Sequence, residues 1–262
     1  MTSPRPTREW MLGLPITTEA LAAVATTIHG WVTDGTATRY FICMNPHSFE
    51  CARRDPMFAE AARNADLLTP DGIGVVLASR MRGGAVTQRV CGPDIFMELT
   101  RRLNQEGGRS VFFLGGNQRV LDLIVERHRR DFPDVRVAGC FAPPYKAAFS
   151  EGEKSEMAAL VNRAGADVLW VGLGSPKQER WAHDFRNALN VKVIGPIGAM
   201  FDFYAGTVPM APRWVQRMGL QWLYRLAKEP RRLWRRNVDS PVFVVRALCE
   251  PRDRATSSGA TS

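Results

Sequence analysis

A single carboxylate, Asp71, stands in the run Thr69-Pro70-Asp71-Gly72-Ile73-Gly74, just after a short apolar segment and just before a stretch of helical period. The positive end of a helix favours an ionised side chain at its start. An ionised carboxylate within hydrogen-bond reach of a substrate hydroxyl can act as a general base. The competing role is to cap the helix, the commoner fate of an Asp in such a place. Asp94 in Arg89-Val90-Cys91-Gly92-Pro93-Asp94 and Asp202 in Gly198-Ala199-Met200-Phe201-Asp202 pose the same choice.

Three further loops carry chemistry. Gly172-Leu173-Gly174-Ser175-Pro176-Lys177-Gln178-Glu179 has two glycines, Gly172 and Gly174, ahead of a proline suited to a first helical turn. Free N–H groups at such a start can hold a phosphate or a sugar hydroxyl. Lys177 stands where a dinucleotide fingerprint would place its third glycine, which weakens that reading. The plain alternative is a helix capped by Ser175, with Lys177 and Gln178 in water. Gly115-Gly116-Asn117 makes a second open turn, and two such turns on one sheet suit a nucleotide diphosphate. Either alone is common, because glycine tolerates positive φ at loop ends. In Asn45-Pro46-His47, Asn45 can bond a sugar hydroxyl or its own chain, and an Asn-Pro pair favours a turn.

Other chemistries lack their residues. The four histidines show no HxxxH or HExxH spacing and no Asp-x-Asp pair occurs, so no metal site is expected. No GxSxG elbow points to a serine hydrolase. Five widely spaced cysteines without a CxxC pair read as reduced thiols.

The elements that must position these residues alternate. Short β-branched or aromatic runs at 40–44, 65–68, 110–114, 135–139, 168–171 and 191–194 read as strands. Helical periods fall at 18–28, 73–81, 94–104, 118–130, 152–164 and 176–188. This is the pattern of an α/β fold, a Rossmann-like, mainly parallel sheet flanked by helices. In such a sheet the ligand crevice lies beyond the carboxyl ends of the strands, which is where the four loops fall.

The 262 residues carry a formal charge of +9, and most of it is local. Between Arg213 and Arg236, seven arginines and Lys228 face Glu229 alone, a net +7 interleaved with Trp214, Trp222, Tyr224 and Trp234. That mixture suits an amphipathic segment lying on an anionic membrane surface. A helix pair that packs its aromatics on the core while the arginines are solvated is an equal reading. The expected division is an α/β core over 9–205, a basic helical C-terminal appendage over 206–250 and a disordered tail over 251–262. No apolar stretch approaches the ~20 residues of a membrane span, and no secretory signal is visible.

Thr69–Gly72, Gly172–Glu179, Gly198–Phe203, Ala211-Pro212-Arg213-Trp214 and the stretch reaching Glu229-Pro230-Arg231-Arg232 occur in order. Together they resemble the WecG/TagA/CpsF family of bacterial glycosyltransferases over roughly residues 10–248. The resemblance implies inverting, metal-independent transfer of a sugar, of the N-acetylmannosamine type or a related hexose, with no cofactor. The donor is a UDP-sugar and the acceptor a polyprenyl-diphosphate-linked saccharide at the cytoplasmic face of the membrane. It makes Asp71 the general base, puts Asn45 and Gln178 in the sugar pocket, and gives the appendage arginines, Arg225, Arg232 and Arg235, to the diphosphate. Cys43 departs from the pattern, standing where relatives tend to have Thr.

Two other classes compete. A nucleotide-cofactor enzyme such as a dehydrogenase would be expected to show a full glycine fingerprint and an acidic residue about 20 positions later, and neither is found. A basic nucleic-acid-binding protein lacks any accompanying motif. Nucleic acid is therefore not an expected partner, and a homo-oligomer is compatible with the sequence.

Overall fold

The computed structural model describes residues 7–146, 148–212, 214–215, 220–228 and 230–250, the side chains of 225 and 230–238 excepted. The expected tail at 251–262 lies outside the described residues. Among those described, eight strands form one sheet: β1 (Arg8–Met11), β2 (Leu14–Thr17), β3 (Arg39–Met44), β4 (Leu67–Pro70), β5 (Arg109–Gly115), β6 (Val135–Phe141), β7 (Val168–Gly172) and β8 (Val193–Pro196). Their order is β1-β2-β4-β3-β8-β7-β5-β6, and every pair but β1–β2 is parallel. The six strands read from the sequence are all present within two residues at each boundary, and the sheet is the Rossmann-like, mainly parallel one expected. The edge hairpin β1–β2 is an addition, turned through Leu12 and Gly13, both at positive φ.

The central strands are covered on both faces, so they read as continuous apolar runs. Along each, successive side chains enter opposite cores. Tyr40, Ile42, Phe112, Leu114, Leu169 and Val171 face one cluster; Phe41, Val111, Phe113, Val168 and Trp170 face the other. The second cluster is closed by α1 (Leu21–Asp34), α5 (Gly92–Glu106), α6 (Gln118–Asp131) and α9 (Ala199–Ala205). The first is closed by α2 (Pro46–Arg54), α3 (Pro56–Arg63), α4 (Ile73–Met81), α7 (Glu151–Ala164) and α8 (Lys177–Phe185).

Two C-terminal helices follow, α10 (Gln221–Lys228) and α11 (Pro230–Cys249). The last is not merely laid on the surface. Phe243 and Ala247 are fully buried in the first cluster, and the Phe243 ring packs 4.8 Å from that of Phe49 on α2. Trp214, Trp222, Leu223 and Val245 stay exposed. Among the described residues no helix is long and apolar enough to cross a membrane.

Register brings the loops together. Met44 pairs with Pro70, Gly115 with Gly172, and Val171 with both Leu114 and Pro196. Asn45, Asp71, Gly172, Gly198 and Gly116 thus leave the sheet along one rim.

Candidate active site

A cavity of about 440 Å³ opens on this rim. Asn45, Pro46 and His47 form one wall, Asp71 to Gly74 the floor, and Arg89, Cys91 and Pro93 a second wall. Ala199 and Phe203 of α9 reach it from the side. The C-terminal helices close it with Gln221, Trp222, Ser240, Pro241 and Val244.

Asp71 is set in place by the backbone. Its N–H donates to the Met44 carbonyl at 2.9 Å, which fixes the turn against the end of β3. Gly72 then takes φ 95°, a conformation that disfavours any side chain, and itself occupies the N-cap of α4. The N-cap position is therefore Gly72, which has no side chain to cap the helix, and Asp71 stands one residue before it. Asp71 sits close enough to two thiols to act on them. Burial, reinforced by the Asp71 charge, pushes both the Cys43 and the Cys91 thiol far above the usual range, so neither is a thiolate.

Asn45 does what the Asn-Pro pair suggested, and more. It is the N-cap of α2, its Oδ1 accepting from Ser48 N–H at 3.0 Å, while the residue also lines the cavity. The chain beyond Pro46 continues as a helix, not a bare turn.

Arg89 is the cavity residue that sequence reasoning passed over. Val90 N–H donates to the Pro70 carbonyl at 2.8 Å, tying this loop to the end of β4. The Arg89 guanidinium then lies 3.3 Å from Asp94 Oδ2 and donates to Gln221 Oε1 of α10. Cys91 donates to the same Asp94 oxygen at 2.9 Å. Asp94, in the first turn of α5, thus holds a cation at the cavity wall. The signal is present in Arg89-Val90-Cys91-Gly92-Pro93-Asp94, where an Arg precedes a Pro-started helix carrying an Asp in its first turn.

The remaining candidates form a second constellation along the rim. Gln178 is 5% exposed. Its Oε1 accepts from the N–H groups of Gly174 (3.1 Å) and Gly198 (3.2 Å), and its Nε2 donates to Glu179. It therefore ties the β7–α8 loop to the β8–α9 loop, and the α8 N-cap is Pro176 without a side-chain bond, so Ser175 does not cap and Gln178 does not face water. A Cβ on Gly172 would lie 2.7 Å from the Phe201 ring, and one on Gly115 would lie 2.4 Å from the Gly172 backbone. Both glycines are required by packing. Gly174, at φ 79°, borders open space: a Cβ there would meet nothing within 4 Å. Lys177 donates to the Lys146 carbonyl at 2.6 Å, and its ammonium lies over the rings of Tyr145 and Phe149. Asp202 is half-buried on α9, with its Oδ1 3.5 Å from the Thr207 hydroxyl. Arg225 lies in α10 and Arg232 and Arg235 in α11, but their side chains lie outside the described residues.

The arrangement joins one carboxylate, one anchored guanidinium and an apolar wall. It can take a proton from a hydroxyl at Asp71 and offset negative charge at Arg89. Among the described residues no group of three or more His, Cys, Asp or Glu is placed to hold a metal ion.

Residues 9–257 match the model of the glycosyl transferase WecG/TagA/CpsF family. A relative from Bacillus spizizenii (strain ATCC 23059 / NRRL B-14472 / W23) is 33% identical over 219 residues, covering 82% of this chain and 81% of its own. One from Bacillus subtilis (strain 168) is 30% identical over 216 residues, covering 81% and 80%. Both bear the name N-acetylglucosaminyldiphosphoundecaprenol N-acetyl-beta-D-mannosaminyltransferase.

Proposed function

Because the chain belongs to the WecG/TagA/CpsF family and is a glycosyltransferase, we propose that it moves a sugar from a UDP-sugar to a saccharide carried on a polyprenyl diphosphate. The sugar is of the N-acetylmannosamine type or a related hexose. The enzyme serves bacterial surface-polysaccharide synthesis at the inner face of the cell membrane. The dehydrogenase and nucleic-acid readings give way to the family.

The observation that carries this reading is the position of Asp71. Its carboxylate lines a cavity whose other walls are Arg89 and the C-terminal helices. Asp71 removes the proton from the acceptor hydroxyl as that oxygen attacks the anomeric carbon from the face opposite UDP. The bond from that carbon to the diphosphate oxygen breaks, its electron pair leaves with UDP, and the configuration inverts. Arginine meets diphosphate oxygens through a planar fork, which a lysine cannot copy. Arg89 is placed for this at the acceptor's diphosphate, and Arg225, Arg232 and Arg235 of the appendage serve the diphosphate of the departing UDP. Charge stabilisation by arginines and helix starts makes the transfer metal-independent. The donor occupies the rim from Asn45 to Gly174, with Gly115, Gly172, Lys177, Gln178 and Asp202 shaping its far end.

Incubating the full chain with UDP-N-acetylmannosamine and a GlcNAc-diphospho-lipid in EDTA tests the reading. The expected result is UDP release matched by a disaccharide-lipid of inverted anomeric configuration. UDP release without product, or activity that returns only with added Mn²⁺, counts against it.

A further inference from the structure

Two apolar stripes leave the reaction cavity and run outward side by side. On α4, Ile73 lines the cavity, and one and two turns further Leu77 and Met81 are 45% and 62% exposed. Positions i, i+4 and i+8 share one face of a helix, so this is a continuous line about 12 Å long. On α11, Pro241 and Val244 line the same cavity, and Val245 and Leu248 carry the line on at 61% and 40% exposure. The opposite face of α11 holds the fully buried Phe243 and Ala247, and Val244 packs against the same core at the cavity end, while Val245 and Leu248 stay exposed.

The two helices run in the same direction. Ile73 and Val244 line the same cavity, and beyond them the helices are tied by an ion pair at 2.9 Å between Arg82, the residue after α4, and Glu250, the residue after α11. Glu250 also accepts from Leu12 N–H at 2.8 Å, fixing that end to the edge hairpin. A cavity that carries Asp71 and Arg89 thus opens directly into an apolar track whose far end is tied by an ion pair.

We propose that this track, Ile73–Leu77–Met81 facing Val244–Val245–Leu248, binds the first isoprene units of the acceptor's polyprenyl chain. The proposal rests on the function given above and adds the path of the lipid. Its ground is the match between an amphiphile and the site. The anionic diphosphate has its cation in Arg89 at the cavity wall, and an apolar chain attached to it must leave through a surface that lowers its exposure to water. The α4 stripe begins at Ile73, two residues from Asp71, and the α11 stripe begins at residues that line the same cavity. A patch meant for the bilayer alone would have no need to be continuous with the reaction cavity. Seating the chain here sets how far the acceptor sugar reaches towards Asp71, so the track positions the substrate as well as holding it.

The test is photolabelling of the full chain in detergent micelles with a polyprenyl diphosphate carrying a diazirine on its second isoprene unit. The expected labels fall within residues 73–82 and 241–250, and unlabelled polyprenyl diphosphate competes with them while inorganic pyrophosphate and phosphatidylglycerol do not. Labels confined to other segments overturn the proposal. Equal competition by phosphatidylglycerol overturns it in favour of a bilayer contact. Kinetics give a second arm. In the double variant Leu77→Gln/Val245→Gln, kcat/KM for the polyprenyl acceptor is expected to fall at least about tenfold more than for a short phenoxyalkyl acceptor. An equal fall on both acceptors means a structural role and overturns the proposal. Sugar transfer by the unaltered chain to the short acceptor reports on the function separately: its absence with labels on the track would sink the function and leave the track standing.

Discussion

His47 Nδ1 lies 2.6 Å from Asp239 Oδ2, joining the helix that starts at Asn45 to the last helix of the chain. Asp239 is 5% exposed and also receives Arg54 Nη2 at 2.9 Å. Glu50, 1% exposed, lies 3.4 Å from Arg246 on the same pair of helices. A cavity wall and the C-terminal helix that closes it are therefore joined by one charged seam over a shared apolar core.

Asp239→Ala is expected to loosen that seam. Burial alone would raise the Asp239 carboxyl, but the bonds from Arg54 and His47 prevail and hold it below the usual carboxylate range. Removing a buried, bonded carboxylate costs on the order of 1–3 kcal/mol. A depressed carboxylate contributes stability that is present above its unfolded pKa and lost as pH falls through the folded value. The difference between the parent and the variant should thus be full at pH 7 and fade below about pH 4. Urea unfolding at both pH values, with hydrogen exchange across α11, measures it; equal stability at pH 7 would leave the tether to the apolar contacts and to the Glu50–Arg246 and Arg82–Glu250 pairs.

Asp71→Asn is expected to lower turnover by roughly 10²–10⁴ while the melting temperature stays within a degree or two. Stability should hold because the α4 N-cap is Gly72 and the Asp71 contact to β3 runs through the backbone N–H, which Asn retains. Parallel rate and thermal-melt measurements decide. A variant that unfolds, or one that keeps its full rate, removes Asp71 from the role of base.

The contrast between Asp71 and Gln178 explains what the sequence makes legible. Loop positions at the carboxyl ends of strands follow from alternating apolar periods, so periodicity alone puts Asn45, Asp71, Gly115 and Gly172 on the correct rim. Pairing across loops is not periodic. That Gln178 bonds Gly174 and Gly198, and that Arg89 meets both Asp94 and Gln221, depends on which loops the strand order makes neighbours. The helices α2 and α3 escape a sequence reading for a local reason: each begins at a proline, Pro46 and Pro56, whose turn signal also marks a first helical position. The α9 helix is seven residues long, too short for its period to register.

Gly172→Ala and Gly174→Ala should separate packing from ligand space in the glycine loop. At Gly172 the added methyl meets a Phe201 ring that is 3% exposed and already packed edge-on against Phe113, so overpacking of about 1–3 kcal/mol is expected. At Gly174 the methyl enters open space and the cost is the positive φ alone, about 1–2 kcal/mol. Thermal melts should rank Gly172→Ala as the less stable. UDP titration should show the larger relative loss of affinity in Gly174→Ala; the reverse order in both measurements would move the donor away from this loop.

The last expectation concerns acid stability and a residue remote from the cavity. His128 is fully buried in α6 between the rings of Phe113 and Phe132, and neither ring nitrogen has a hydrogen-bond partner among the described residues. Burial lowers its pKa to about 4, only partly offset by the Asp131 charge. In the unfolded chain the ordinary value is near 6.5. Between these two values the unfolded state binds the proton and the native state does not, so stability rises with pH across that window and is fully present above about 6.5. Going down in pH, the protein should lose on the order of 3 kcal/mol from this one group by pH ~4, after which both states are protonated and the loss stops. The Asp239 contribution begins to fall only where the His128 loss is nearly complete, so the two are separable on the pH axis. His128→Leu keeps the site apolar and removes the titration. Urea unfolding of the parent and the variant at pH 7 and pH 4.5 is the measurement. The parent should lose about 2 kcal/mol more than His128→Leu over that interval; matching slopes would mean that His128 gains a proton in the native state without cost.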